Sequence, residues 1–207
     1  LDDFNFGKKT DIDIDGEKSG LIADKAWKKK KLNESWYAGE TAITAIGQGF
    51  TLVTPLQLAN ATAKLANPSL SIKPHLLLSI DGIKQDRQEV KEKKQRYSDE
   101  NLKWVKTGMV NVTKEGGTAA FLGRKSNYQM ASKTGTAQLF GLKIDEEYNE
   151  DILPDKLKDH ALFITYAPAI DPEIVIAVIV ENGGHGGSVA GPIAKKVLDA
   201  YLVNKKL

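Results

Sequence analysis

Ser132-Lys133-Thr134-Gly135-Thr136-Ala137-Gln138 sets a lysine beside a glycine that is itself flanked by two threonines. On a strand, alternate side chains face opposite ways, so Lys133 and Gly135 share one side while Thr134 and Thr136 share the other. At an edge facing a cleft, Lys133 brings a fixed positive charge, and Gly135 lets a substrate lie against the backbone. Unpaired N–H groups along such an edge stabilise an oxyanion, an effect worth roughly 3–4 kcal/mol per donor. The threonine hydroxyls suit a carboxylate. Each group matches a step of acyl transfer to a serine.

Working outward, the run lies in a strand expected over Gln129 to Phe140. Two more strands follow, His160 to Ala167 and Glu173 to Val180. The short Pro168 to Pro172 turn between them implies an antiparallel hairpin. Val175 to Val180 is nearly all apolar, so this strand is expected to be central and covered on both faces. A helix from about Val189 to Leu202 follows, with Ala190, Ile193, Ala194, Val197, Leu198 and Tyr201 on the stripe that covers the sheet.

Upstream, Thr54-Pro55-Leu56-Gln57 combines a threonine N-cap, proline at the first helical position and glutamine at the third, and the helix stops near Asn67-Pro68. Asp11 to Gly16 alternates like a short strand, and Pro74 to Ile80 reads as another. Lys84 to Arg96 is exposed and charge-dense. A further helix starts at Ser98 with Leu102, Val105, Met109 and Val112 on one face, and Gly116-Gly117-Thr118-Ala119 closes it with a turn. The expected class is α+β, an antiparallel sheet covered by helices.

Composition bounds the partners. With 29 basic against 27 acidic residues the formal charge is +2, which gives no strong field for nucleic acid or a membrane surface. Lys28 to Lys31 form a basic run between Trp27 and Trp36-Tyr37, read as a solvated face. There is no cysteine, so disulfides and thiolate metal sites are excluded. His75, His160 and His185 lie on separate elements without metal-ligand spacing. His160, beside Asp159 at a strand start, reads as a hydrogen-bonded structural residue, while His185 lies in a turn able to approach the cleft. The glycine-rich Gly183 to Gly187 lacks the lysine and the spacing of a phosphate loop. Leu139 to Lys158 is a long excursion between two strands, read equally as a flap beside the cleft or a surface loop with a short helix at Leu153 to Lys158.

No serine in the chain has lysine three places on or asparagine two places on. K-T-G is the third signature of penicillin-binding proteins and serine β-lactamases, whose first two are S-x-x-K and S-x-N. With its elements in order, the chain resembles the class B penicillin-binding proteins, and among them the rod-elongation type known as penicillin-binding protein 2. The stretches that carry the resemblance are Gly47-Gln48-Gly49 with Thr54 to Gln57, Lys73 to Leu76, Gly117-Thr118-Ala119, Lys133 to Gln138, Asp159-His160-Ala161 and Glu181 to Gly184. Trp36-Tyr37-x-Gly39 and Phe140 to Lys143 favour this type over the division-specific one.

The resemblance implies a β-lactamase/transpeptidase-like fold, present as its incomplete C-terminal part, with residues 1–207 belonging to one transpeptidase domain. It implies that Lys133 hydrogen-bonds towards the S-x-N serine and the nucleophile. Thr134 and Thr136 bind the carboxylate of substrate or β-lactam, and the Thr136 N–H is one of two oxyanion donors. The implied substrates are D-Ala-D-Ala stem peptides of peptidoglycan and, as inhibitors, β-lactams. Implied partners are a polytopic glycan polymerase and rod-shape scaffold proteins. The implied place is the periplasmic face of the inner membrane, held by an N-terminal anchor. No cofactor or metal is called for. Nucleophile and base are expected upstream of Leu1, leaving this chain alone inactive and with apolar surface exposed. Two other readings stay open, a serine β-lactamase or carboxypeptidase, and a non-catalytic module that binds β-lactam or a scaffold. Upstream S-x-x-K and S-x-N motifs discriminate among them.

Overall fold

The computed structural model describes residues 1–69, 73–85, 97–139 and 154–203. Helices α1 (Lys25–Leu32), α2 (Ala38–Ala45) and α3 (Pro55–Ala66) come first, followed by the small strands β1 (Ser79–Ile80) and β2 (Ile83–Lys84). Next are α4 (Asp99–Asn111), α5 (Ala120–Gly123) and β3 (Ala131–Ala137), and the chain continues through β4 (His160–Ala167), β5 (Ile174–Val180) and α6 (Ala190–Leu202). They divide into two compact units, Leu1–Ala61 with Ser69–Lys94, and Thr62–Pro68 with Gln95–Leu207.

In the first unit, Asp24 caps α1 by accepting from the Trp27 N–H at 2.7 Å. The expected capping box opens α3. Thr54 Oγ1 accepts from the Gln57 N–H at 3.1 Å, and the Thr54 N–H donates to Gln57 Oε1 at 2.9 Å. The Gln57 amide is buried and reaches further, donating from Nε2 to the Lys8 and Ser19 carbonyls, both at 2.7 Å. Gln57→Ala strands those two carbonyls and the Thr54 N–H, so it is expected to cost about 3 kcal/mol, read as a shift in the denaturation midpoint.

Three expectations in this unit change. Asp11 to Gly16 bends and forms no strand. Its aspartates favour side-chain to backbone bonding over a ladder, and the Asp13 carboxylate accepts the N–H groups of Leu76 and Leu77 at 2.7 and 2.8 Å. Those two bonds hold its pKa below the ordinary carboxylate value. Of the Pro74 to Ile80 run only Ser79–Ile80 is strand. It pairs with Ile83–Lys84 across Asp81-Gly82, both at positive φ as a type I′ turn requires. Leu76, Leu77 and Leu78 stay exposed, since no second strand or covering helix meets them among the described residues. Lys28, in contrast to the solvated Lys29 to Lys31, is buried against Glu40 at 2.5 Å and Glu34 at 3.3 Å, with the Tyr37 ring beside it. The hydrogen bond that Lys28 donates to Glu40 raises its pKa.

The second unit is built on an antiparallel sheet in the order β3-β4-β5. One face carries Ala161, Phe163 and Ala167 of β4 against Ala190, Ala194 and Leu198 of α6, with Ala119, Leu122 and Met130 completing the buried cluster. The other carries Ala131 and Tyr166 against Met109 of α4 and Ala66 of α3. Tyr128 donates to Asp199 Oδ1 at 2.7 Å and ties α6 to the chain entering β3, while Lys195 bonds the same carboxylate. Burial, with Asp199 beside it, pushes the Tyr128 phenol above its ordinary pKa and keeps it a donor.

The α+β class holds, and the details shift with packing. Among the described residues β5 is an edge strand, half-buried where central burial was expected, because β4 takes the middle. On α6 the buried line is Ala190, Ala194 and Leu198, leaving Ile193, Val197 and Tyr201 at 44%, 46% and 39% exposure. Small residues let the helix approach the sheet, so the core takes the line of alanines and the bulkier stripe turns away. On α4, which Ser98 caps by accepting from the Asn101 N–H, Leu102 and Met109 are buried but Val105 is exposed. Residues 86–96 of the charged segment, Phe140 to Lys143 and most of the Leu139 to Lys158 excursion lie outside the described residues. Near the end of that excursion a short 3-10 turn, Asp155–Leu157, stands where the helix was expected.

Candidate active site

β3 is an outer strand, with β4 on one side and no strand on the other among the described residues. Such an edge presents unpaired N–H and C=O groups. The register sets Lys133 opposite Ile164, Thr134 opposite Phe163, Gly135 opposite Leu162 and Thr136 opposite Ala161. Phe163 and Ala161 belong to the α6 cluster, so Thr134 and Thr136 share the α6 face. Lys133 and Gly135 share the opposite face with Ile164 and Leu162. The alternation read from sequence is therefore present, residue by residue.

Burial along the strand is graded. Ala131 and Ser132 are fully buried, and Ser132 Oγ is 2.9 Å from Thr165 Oγ1, a hydroxyl pair that satisfies both polar groups inside the sheet. Lys133 is exposed, its Nζ donating to the Thr134 carbonyl at 2.5 Å. Thr134, Gly135 and Thr136 are half-buried. A long flexible cation thus stands at a well-anchored strand, the arrangement that keeps a charge available while its backbone stays still.

The turn between β5 and α6 seats itself against this strand. A Cβ placed on Gly186 would lie 2.1 Å from the Leu162 carbonyl oxygen and 2.4 Å from that of Gly135. One on Gly187 would lie 3.1 Å from the Thr118 oxygen and 3.3 Å from the Thr134 methyl. The glycines therefore admit backbone against backbone. Around them, the Gly184 N–H donates to the carbonyl of Asp159 at 2.8 Å, and the Asn182 N–H to His160 Nδ1 at 2.9 Å. Asn182 Nδ2 donates in turn to the Lys156 and Lys158 carbonyls. His160 is hydrogen-bonded at the start of β4, as expected.

Four stretches far apart in sequence are thereby gathered: Gly117 to Ala119, Lys133 to Gln138, Asp159 to Ala161 and Glu181 to Gly187. Gly47 to Gly49 and Thr54 to Gln57 belong to the first unit. Sequence reasoning brought Lys133, Thr134, Gly135 and Thr136 to one strand but missed Gly186 and Gly187 as its support. The available signal was the density of glycines after β5, whose role shows only in three dimensions. Among the described residues no three His, Cys, Asp or Glu side chains group as metal ligands, and no helix is long and apolar enough to cross a membrane.

The outer strand bearing Lys133 and Gly135 thus lies on a sheet backed by α6. The chain belongs to the family described as the penicillin binding protein transpeptidase domain, which matches residues 1–199. Within it the chain is 41% identical to the peptidoglycan D,D-transpeptidase MrdA of Haemophilus influenzae over 100% of its length and 32% of that relative's. It is also 41% identical to the MrdA of Acinetobacter baumannii, over 98% of this chain and 30% of the relative. The chain therefore spans about a third of the length of these curated relatives. Among solved structures, Pseudomonas aeruginosa PBP2 in complex with WCK 5153 aligns with a TM-score of 0.82 at 41% identity, covering 97% of this chain and 42% of that one. Helicobacter pylori PBP2, in its complex with MreC, aligns at 0.79 and 31% identity, covering 98% and 35%.

Proposed function

We propose that the full-length protein is a peptidoglycan D,D-transpeptidase of the penicillin-binding protein 2 type, and that residues 1–207 form the C-terminal part of its single catalytic domain. The observation that carries this reading is the exposed Lys133 on an outer strand beside Gly135, within a chain that matches the transpeptidase family over residues 1–199. A serine Oγ, supplied by residues outside this sequence, attacks the carbonyl of the D-Ala-D-Ala bond and gives up its proton to a neighbouring base. The Thr136 N–H helps hold the oxyanion, Lys133 supports proton transfer and charge, and Thr134 and Thr136 orient the terminal carboxylate. D-Alanine departs with a proton and leaves an acyl ester, which the amine of a second stem peptide resolves, restoring the serine. A β-lactam opens on the same serine and remains.

The Helicobacter pylori PBP2–MreC complex supports a rod-shape scaffold partner for this protein too, and a glycan polymerase suits the same assembly. Such a substrate places the work at the periplasmic face of the inner membrane, with an anchor outside this sequence.

Fluorescent penicillin tests the proposal. The full-length protein is expected to take one covalent label per molecule, blocked by prior exposure to unlabelled penicillin, and the 207-residue chain none. A folded full-length protein that takes no label overturns the catalytic reading. Stoichiometric label on the chain alone overturns the external nucleophile.

A further inference from the structure

We infer that His185 is a substrate-binding residue of this cleft, reading the carboxylate end of the acyl donor beside Thr134 and Thr136; this rests on the transpeptidase reading above. The turn that carries it is fastened where that carboxylate would lie. Gly186, its neighbour, packs on the backbone of Gly135 and Leu162, and Gly187 packs on the Thr134 methyl. Consecutive Cα atoms are 3.8 Å apart, so the His185 Cα stands within about 8 Å of the Gly135 carbonyl oxygen, with Gly186 a Cβ-length step from it. The turn comes from the α6 side, the face that Thr134 and Thr136 share.

Burial separates His185 from its neighbours. Gly184, Gly186 and Gly187 are buried, and His185 alone among residues 184 to 187 is exposed. Its backbone is already committed, the carbonyl accepting from the Val189 N–H at 3.1 Å and from Ser188 Oγ at 3.3 Å. The turn is held again from behind by the bonds of Asn182 to His160, Lys156 and Lys158. An imidazole on a pinned backbone, flanked by residues that have no side chains to crowd it, reaches an anion without reordering the loop. Its ring N–H is a hydrogen-bond donor. Lys133 lies on the other face of the strand, so on the α6 side it is the threonine hydroxyls that His185 joins as donors.

The test uses the full-length protein and two acylating agents, benzylpenicillin and its methyl ester, which differ in that carboxylate alone. Wild type is expected to react faster with the acid. His185→Ala is expected to slow acylation by the acid about tenfold, the low end for a hydrogen bond to a charged group, and to leave the ester within about twofold and the melting temperature unchanged. His185→Gln, which keeps a donor, is expected to recover part of the loss. Equal rates of His185→Ala and wild type with the acid overturn the inference. So does an equal loss with acid and ester, which marks a structural role for the turn. Wild type that fails to discriminate acid from ester removes the carboxylate subsite itself, and wild type that is not acylated at all removes the transpeptidase reading beneath it.

Discussion

Alanine at Gly186 is expected to abolish acylation of the full-length protein by penicillin and to lower its stability by about 3 kcal/mol, at the upper end for overpacking a close-packed site. The added methyl would stand 2.1 Å from the Leu162 oxygen and 2.4 Å from that of Gly135. Both obstacles are backbone atoms in hydrogen-bonded strands, so neither yields as a flexible side chain would. The turn must back away, and with it goes the support beneath Gly135. Thermal melting and the acylation rate measured on one preparation check this. Gly108→Ala is the matched control, on a helix with open space around it, where alanine is expected to be neutral or stabilising by up to about 1 kcal/mol. Wild-type melting and rate in the Gly186 variant would sink the idea that this turn braces the strand.

Lys133→Ala is expected to act differently, lowering the acylation rate about 100- to 1000-fold while leaving stability within about 0.5 kcal/mol. The side chain is exposed, and its hydrogen bond is to the carbonyl of the next residue, so the fold loses little when it is removed. The transition state loses a preorganised positive charge. Arginine is not expected to substitute, because a planar fork does not occupy the place of a compact ammonium. An alanine variant acylated within about threefold of wild type would remove Lys133 from the machinery.

The contrast between these two residues shows what was legible in advance. Lys133 was placed on its strand and proposed as a site residue from its sequence neighbours, because a lysine next but one to a glycine on a strand has a chemical meaning that needs no distant partner. Gly186 was not, because a glycine's purpose is set by whatever comes close to it, and the nearest atoms belong to residues 135 and 162. The capping box at Thr54 and Gln57 was legible for the same reason as Lys133, being local. Its further bonds to Lys8 and Ser19 span 49 and 38 residues and left no trace in the pattern.

Burial follows the same division. Periodicity placed α6, but packing against Phe163 took only Ala190, Ala194 and Leu198 of the expected stripe as the buried line and left Ile193, Val197 and Tyr201 outside. Hydrophobicity marked β5 as a strand and misjudged its place, since an apolar run reads alike at the centre and at an edge. By itself, then, the sequence determined helices α3, α4 and α6 and the strand alternation that splits Lys133 and Gly135 from Thr134 and Thr136, all of which follow from interactions within a few residues, while α1 and α2 were not read from it. Only the tertiary structure decided strand order, which face of each helix the core takes, and the seating of the 183–187 turn on β3. Those depend on contacts between residues far apart in the chain, where shape and close approach, and not residue type, set the outcome.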